Sequence, residues 1–383
     1  MSAPRLREGV RDALVVFLIV RILLFAISAY GVGLLPLPPE QPTSVPGWPA
    51  EVPSWHWTAT FTATERQDAL WFLRIATDGY RPDDNSAAFF PLYPLAIRVV
   101  DVVPGIGPLG AALLVSNLAL IGALVVLHAL TRLELGAAHA RRTLFLVALF
   151  PTACFLLAPY TESTFLLLSL LAFWFARRDR WGLAALAGAG AALTRSVGLI
   201  LILALWAEAI HQWRREGRSP LPRLAAAAAV VAGPLLYFGW WALAHGDAFA
   251  SLDAQRNWRP DGTAAPWATL WHAVELAWRH GAWWMFDLLV VAFAIAGMVL
   301  AARHVRPTYT VYAAGSLLLP LLLPFTGRPL LSVPRFMAVV FPVAWGWSLA
   351  TSRDRPPEAA VVGVSAALFG VVALLFIGWW YVF

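Results

Sequence analysis

The chain has 383 residues, of which 60% are hydrophobic and 13% are charged. A soluble protein of this length carries roughly twice that share of charged residues, so the composition indicates a polytopic membrane protein. The net charge of +6 comes from arginines spread among many segments, whereas a nucleic-acid-binding protein concentrates them on one face or arm. We therefore expect no nucleic-acid partner. The single cysteine, Cys154, lies in an apolar run and excludes an intrachain disulfide or a cysteine-based metal site.

Eleven apolar runs predict transmembrane helices. The first, at about 13–37, is too long for the apolar part of a cleaved signal peptide and is expected to remain as a span. The others lie near 107–131, 143–159, 163–176, 182–194, 197–210, 224–244, 282–302, 308–325, 336–350 and 360–382. With the N-terminus inside, most arginines fall in inner segments, which favours that orientation.

Two of these runs, 163–176 and 182–194, are too short for a hydrocarbon core of roughly 30 Å. Short helices are tolerated where they line a cavity walled by protein, so we expect a cavity between the third and sixth spans, open to the outer face. The inner loops contain no Gly-rich phosphate-binding element. The long loops 38–106 and 245–281 are both outside, and long loops are usually functional. We therefore expect one integral module, 1–383, with its chemistry outside.

The first outer loop is predicted to contain a helix that starts at Asp68. Residues 38–60 before it are rich in Pro, Trp and Thr and predict irregular structure. Apolar residues after Asp68 recur on one helical face, and Asp78 and Gly79 end the helix. This amphipathic pattern predicts a helix in the plane of the membrane interface. An alternative role for Asp68 is that of an N-cap, whose carboxylate accepts backbone N–H bonds.

The same loop resembles the signature of the PIG-V type mannosyltransferases in the strings DALWFLRIATDGY and AFFPLYP, within 68–94. The later segments FPTACFLLAPYTES, ALTRSVGL, GDAFASLDAQRNW and SVPRFMAVVFP are similar to that family in their order. The resemblance implies the all-α GT-C fold, a mannose donor carried on a polyprenyl or dolichyl phosphate, and transfer on the extracytoplasmic or lumenal face. Gln67 stands where the family often has Trp, and Trp71 where eukaryotic members carry His. The second departure suggests a bacterial branch whose acceptor need not be a glycosylphosphatidylinositol intermediate.

Asp68 matches the family's aspartate, so the resemblance implies that it is the general base that deprotonates the acceptor hydroxyl. Transfer would then invert the anomeric centre, and no activated water is needed. The departing phosphate is negative, and arginine binds phosphate through a planar fork. Arg195, between two short runs, and Arg335, at the outer end of the tenth span, are the leading candidates for the donor-phosphate site, followed by Arg256 and Arg328. An alternative for Arg335 is a side chain that reaches from a helix end to the interface.

The remaining candidates are expected to wall the substrate cavity. Glu162 could orient an arginine or bind acceptor hydroxyls, or it could be a first-turn carboxylate favoured by the helix dipole. The aromatic residues could stack on a sugar or hold the lipid, although an interfacial aromatic belt also explains them. With Glu162, the predicted cavity residues are Tyr160, Trp71, Arg74, Tyr80, Phe90 and Tyr93.

No cofactor or metal site is predicted. Asp83 and Asp84 could bind a divalent cation as a pair, but RPDDNS is a turn composition in which Asp bonds to its own backbone. The eight histidines show no metal-binding spacing. The expected partners are therefore a lipid-linked sugar donor, a glycolipid or glycan acceptor and membrane lipids, and dependence on a divalent metal stays open.

A membrane transporter or lipid flippase is the main alternative function. It predicts a repeat between the two halves and charges near the bilayer centre, but no repeat is evident, and Asp68, Glu162 and Arg335 are predicted near the outer surface. A non-catalytic scaffold would leave the charged loop helix unexplained. The sequence favours a multi-pass mannosyltransferase of the cell membrane that uses polyprenyl-phosphate mannose on its extracytoplasmic face.

Overall fold

The computed structural model describes residues 3–34, 45, 48, 58–259, 262–351, 355–380 and 382. In chain order its α-helices are α1 (Ala3–Leu34), α2 (Ala59–Thr62), α3 (Asp68–Asp78), α4 (Leu92–Asp101), α5 (Gly107–Glu134), α6 (Ala137–Ala148), α7 (Glu162–Ala176), α8 (Trp181–Ala192), α9 (Ile200–Glu216), α10 (Leu221–Ala228), α11 (Ala232–His245), α12 (Ala250–Trp258), α13 (Pro266–His280), α14 (Ala282–Ala302), α15 (Pro307–Leu321), α16 (Val333–Met337), α17 (Pro342–Ala350) and α18 (Arg355–Ile377). Short 3-10 helices occur at Asn85–Ala88, Ala153–Leu156, Ser196–Leu199 and Ala229–Val231. Within the described ranges the chain contains no β-strand, and most of the predicted irregular segment 38–60 lies outside them.

Six helical segments of the described residues are long and apolar enough to cross a membrane. They are Leu6–Leu34, Gly107–Glu134, Ser196–Glu216, Leu221–His245, Ala282–Ala302 and Glu358–Ile377. These segments expose large apolar side chains such as Leu236, Leu289 and Val299. Exposure of this kind is unfavourable in water and neutral in lipid. The chain is therefore a helical, polytopic membrane protein, as predicted.

The two short helices predicted from the sequence are present. Helix α7 has 15 residues and α8 has 12, so at about 1.5 Å per residue each is only roughly 20 Å long. They pack against each other, and α7 also packs along the long helix α5. The ends of these short helices border the cavity described below.

Two of the eleven predicted spans are not continuous helices. The run near 143–159 is helical only to Ala148 and then passes through Pro151 into a 3-10 turn. The run near 336–350 is interrupted before Pro342, which begins α17. Proline has no backbone N–H and clashes with the preceding helical turn. Neither run therefore forms one continuous spanning helix.

Helices α14 and α17 approach so closely that their contact has room for glycine alone. A Cβ atom at Gly346 would lie 1.8 Å from the carbonyl oxygen of Gly297. A Cβ at Gly297 would lie 2.6 Å from the carbonyl oxygen of Val343. Because both obstructing atoms belong to the backbone, no side-chain movement relieves the overlap. Small residues at helix contacts of membrane proteins permit this approach.

We expect Gly346→Ala to destabilise the protein by about 1–3 kcal/mol, because the added methyl group must push α14 and α17 apart. The measurement is the midpoint of thermal unfolding in detergent micelles, followed by size-exclusion chromatography. Gly363→Ala in α18 is the matched control, since nothing lies within 4 Å of a Cβ atom at that position. Equal midpoints for the two variants would contradict the proposed backbone contact.

Candidate active site

The loop helix predicted to begin at Asp68 is α3, and its bounds match the prediction. It spans Asp68–Asp78, and Gly79 ends it with a positive φ of 86° while its N–H donates to the carbonyl of Ile75 at 3.0 Å. The N-cap, however, is Gln67, which has φ of 52° and makes no side-chain capping bond. The N-cap interpretation of Asp68 is therefore wrong, and its carboxylate is directed to other partners.

The residues just before Asp68 form hydrogen bonds with the backbone at and just after the end of α18. Arg66 is fully buried, and its guanidinium donates to the carbonyl oxygens of Glu65 at 2.8 Å and Ile377 at 3.4 Å. Burial lowers the pKa of Arg66 to about 10. The side-chain amide of Gln67 donates to the carbonyl of Trp380 at 3.2 Å. These bonds hold in place the backbone from which Asp68 projects.

Helix α3 is enclosed by protein and does not lie on its surface. All of its residues from Ala69 to Ala76 are buried. The charged member of this stretch, Arg74, is 1% exposed and pairs with Asp84 at 2.6 Å. The apolar face of α3 therefore packs inside the protein and is not exposed to lipid, whereas the amphipathic pattern had suggested a helix in the interface plane. An amphipathic pattern alone does not distinguish a helix at the membrane surface from a buried one. A buried helix can carry a charged residue such as Arg74 when that residue has an ion-pair partner inside the protein.

Four charged side chains form a chain of alternating sign at the start of α3. Nη1 of Arg335 donates to Oδ2 of Asp68 at 2.6 Å. Nε of Arg335 lies 3.3 Å from Oε1 of Glu162, and Nη1 of Arg195 donates to the same oxygen. Arg335 thus bridges two carboxylates, and Glu162 bridges two arginines. In a medium of low dielectric constant such neighbouring opposite charges stabilise each other strongly.

The two carboxylates of this chain differ in exposure. The Asp68 side chain is 31% exposed, whereas that of Glu162 is 0% exposed. Oδ1 of Asp68 has no hydrogen-bond partner among the described residues, so it remains open while Oδ2 is held by Arg335. Glu162 can therefore hold the arginines in position, and Asp68 is the carboxylate that a ligand can reach.

Arg195 reaches Glu162 because the chain turns sharply after α8. Its backbone is extended, with φ of −155° and ψ of 139°, between α8 and the 3-10 helix Ser196–Leu199. A Cβ atom at Gly198 would lie 2.6 Å from the backbone of Ala192, so only glycine permits the turn. Arg195 also lies over the Phe336 ring, with its guanidinium carbon 4.5 Å from the ring centre.

These charged groups face a cavity of about 440 Å³. One part of its wall is charged and polar, with Asp68, Glu162, Arg195, Arg259 and Arg335. The rest is largely apolar and is formed by both the loops and the helix ends. Its apolar lining residues are Phe72, Ala88, Phe89, Phe90, Val197, Leu199, Ile200, Trp258, Leu319, Pro320, Leu323 and Phe336.

Of the other predicted cavity residues, Tyr160 and Phe90 line this cavity and four residues do not. Trp71 is buried and stacks on Phe89 with ring centres 5.3 Å apart. Tyr80 donates its hydroxyl to the carbonyl of Phe89 at 2.7 Å. Tyr93 shares a hydrogen bond of 2.7 Å with Ser116, and Arg74 pairs with Asp84 as described above. These four side chains make contacts within the protein that stabilise the segment 68–94 and do not reach the cavity.

The lower-ranked phosphate candidates lie away from the cavity. Arg256 is 78% exposed and pairs with Asp253 on the same helix at 2.8 Å. Arg328 forms an ion pair with Asp287 at 2.6 Å. Neither lines the cavity. The sequence placed both arginines in outer segments, but it did not show that each has a carboxylate partner of its own.

Arg259 lines the cavity and was not singled out from the sequence. It follows the last residue of α12, and its Nη1 donates to the carbonyl of Leu323 at 2.6 Å. Within the described part of the chain it forms no ion pair with a carboxylate. Burial, together with the like charges of Arg335 and Arg195, lowers the pKa of Arg259 to about 10. Its place in an irregular segment between α12 and α13 offered no sequence signal.

Two places in the structure contain carboxylates that could be considered as metal ligands. Asp84 accepts a bond from the backbone N–H of Ser86 at 2.7 Å, as the turn interpretation of that segment predicted. Glu8, Asp12 and His128 place ligand atoms within 4.8 Å of one another. The sequence did not suggest this group, because its members come from α1 and α5. Arginines pair with Glu8 and Asp12, and the group is not part of the cavity lining.

Comparison with known proteins identifies one family. A family model described as Mannosyltransferase (PIG-V) matches residues 14–236, which is more than half of the chain. Asp68, Glu162 and Arg195 fall within the matched part, whereas Arg259 and Arg335 follow it. No curated protein and no solved structure matches the chain significantly.

We expect Glu162→Gln to destabilise the protein by about 3–5 kcal/mol, because it leaves Arg195 and part of Arg335 uncompensated in a buried site. Glu275→Gln is the matched control, since it breaks an exposed pair with Arg279 and should change stability by less than about 1 kcal/mol. Thermal unfolding in detergent, followed by tryptophan fluorescence, compares the two. A Glu162 variant as stable as the control would show that this ion-pair chain contributes no stability.

Proposed function

The chain belongs to the PIG-V family of mannosyltransferases, and we propose that it takes mannose from a polyprenyl-phosphate donor and transfers it to a hydroxyl group of a membrane glycolipid or glycan. Its family and its spanning helices make the chain a membrane mannosyltransferase. We further propose that it has the GT-C fold and that its site lies on the extracytoplasmic face.

The observation that carries the proposal is the position of Asp68. Its Oδ1 is open toward a cavity while its Oδ2 is held by Arg335. A carboxylate oriented in this way can accept a proton from a hydroxyl group at hydrogen-bond distance, which typically accelerates transfer about 10²–10⁴-fold. Asp68 is therefore proposed as the general base.

In the proposed step, the acceptor oxygen forms a bond to C1 of mannose as its proton passes to Oδ1 of Asp68. The bond between C1 and the phosphate oxygen breaks, and its electron pair remains on the phosphate. A single displacement of this kind inverts the anomeric centre. The step needs no activated water, and the lipid-linked donor is a substrate.

The cations of the cavity are proposed to face the departing phosphate. Arg195 and Arg335 line the cavity on either side of Glu162. Both present planar guanidinium groups that suit phosphate oxygens. Glu162 is proposed as the positioning residue that keeps these two arginines apart and aligned. The apolar wall formed by Leu319, Leu323 and neighbouring residues is proposed to accommodate the isoprenoid chain of the donor.

We expect Asp68→Asn to reduce transfer about 10²–10⁴-fold while the protein remains folded, because the amide cannot accept the proton. Asp78→Asn is the matched control, since Asp78 ends the same helix, is exposed and, among the described residues, pairs with the exposed Arg81 alone. The assay combines purified protein, polyprenyl-phosphate mannose and a membrane glycolipid extract. A folded Asp68 variant with the wild-type rate would remove the proposed base, and lipid scrambling without transfer would favour a flippase.

The proposed position of the site outside the cell can be tested by labelling. The native Cys154 is buried, so a membrane-impermeant maleimide should react mainly with an introduced cysteine. We expect Asp78→Cys to be labelled in intact cells and Arg215→Cys, at an exposed position on α9, to be labelled only after permeabilisation. The opposite pattern would place the cavity on the cytoplasmic side.

A further inference from the structure

The charges around the cavity do not balance. Two carboxylates, Asp68 and Glu162, and three arginines, Arg195, Arg259 and Arg335, line it. Asp68 and Glu162 hold Arg335 and Arg195 in direct ion pairs. Arg259 is left without a carboxylate partner among the described residues, so the cavity carries one positive charge in excess.

We propose that Arg259 supplies the uncompensated positive charge that binds the phosphate of the lipid-linked donor, beside the hydrogen bonds that Arg195 and Arg335 can donate. The inference rests on the proposed function for the identity of the donor. The excess positive charge lies on Arg259, since Glu162 and Asp68 already compensate the charges of Arg195 and Arg335. Those two arginines can still donate hydrogen bonds, and they keep Asp68 and Glu162 in place.

The guanidinium of Arg259 is anchored through one nitrogen. Nη1 donates to the carbonyl of Leu323 at 2.6 Å, and the group lies over the Phe325 ring at 5.0 Å. Nε and Nη2 make no hydrogen bond in the described part of the chain. These two nitrogens form the side of the fork that binds two oxygens of one phosphate. The side chain is therefore held in a fixed direction with its phosphate-binding edge unused.

Electrostatics favour an anion at this position. Arg259 is partly buried, and burial together with the like charges of Arg335 and Arg195 disfavours its charged form. A phosphate monoanion beside Arg259 would reverse this effect, since it adds an opposite charge where the excess lies. A sugar attached to a lipid through one phosphate carries one negative charge. It would bring the cavity to neutrality.

The residues around Arg259 also suit a lipid head group. Leu323, whose carbonyl holds Arg259, lines the cavity with Leu319 and Pro320. The cation and an apolar wall therefore meet at one point. A polyprenyl monophosphate has the same arrangement, with its charge directly attached to an apolar chain.

The test compares Arg259→Gln with Arg279→Gln, which removes an exposed arginine of the same outer segment that pairs with Glu275. Calorimetry measures the binding of farnesyl phosphate in detergent, and kinetics give KM for the mannose donor and for the acceptor. For Arg259→Gln we expect affinity to fall, and the donor KM to rise, by about tenfold or more, the size of a lost charge-assisted hydrogen bond. The acceptor KM and all values for Arg279→Gln should stay within about twofold.

Arg259→Lys keeps the charge and removes the fork, so we expect its affinity for farnesyl phosphate to lie between those of wild type and Arg259→Gln. If Arg259→Gln does not fold, the lysine variant decides, and an unchanged affinity overturns the inference. Wild-type transfer with an unaltered donor KM in Arg259→Gln also overturns it, while the proposed function stands. Farnesyl phosphate binding that depends on Arg259 without any mannose transfer supports the anion site and removes the proposed function.

Discussion

The ion-pair chain of Arg195, Glu162, Arg335 and Asp68 is the interaction on which the site depends. It joins the loop helix α3, the starts of α7 and α16, and the turn after α8. Removing charges from water is unfavourable, and it is offset here only because each interior member has two neighbours of opposite sign. The most exposed member is Asp68, whose side chain is 31% exposed. The same interaction that fixes the geometry therefore leaves one carboxylate oxygen of Asp68 accessible from the cavity.

Local pattern in the sequence predicted much of the fold. The composition identified a helical membrane protein, and the lengths of two apolar runs identified the short helices α7 and α8. The start and end of α3 followed from Asp68, Asp78 and Gly79. The pattern failed where proline interrupts an apolar run, as at Pro151 and Pro342. Hydropathy averages over such positions, whereas helix geometry is decided by single residues.

The site itself was predicted only in part, and the reason is distance along the chain. Asp68 was singled out because it matches the aspartate of the family motif, and Arg195 because a charge within apolar sequence is unusual. Glu162 and Arg335 were singled out at the predicted ends of spans. Which charges pair with each other depends on tertiary structure. Arg328 has a carboxylate of its own in Asp287, and Arg259 has none among the described residues, yet both sit in polar loop sequence. For the same reason, the sequence did not show that Glu8 in α1 and His128 in α5 lie close together.

The bonds from Arg66 and Gln67 to the carbonyl groups at 377 and 380 have a consequence for biogenesis. Arg66 and Ile377 are 311 positions apart, so this contact forms only after α18 has been translated. Contacts between distant positions are also the slowest to form. The segment that carries Asp68 therefore remains unfixed while earlier spans insert into the bilayer. We therefore expect the nascent protein to acquire its folded cavity late, when α18 has left the ribosome.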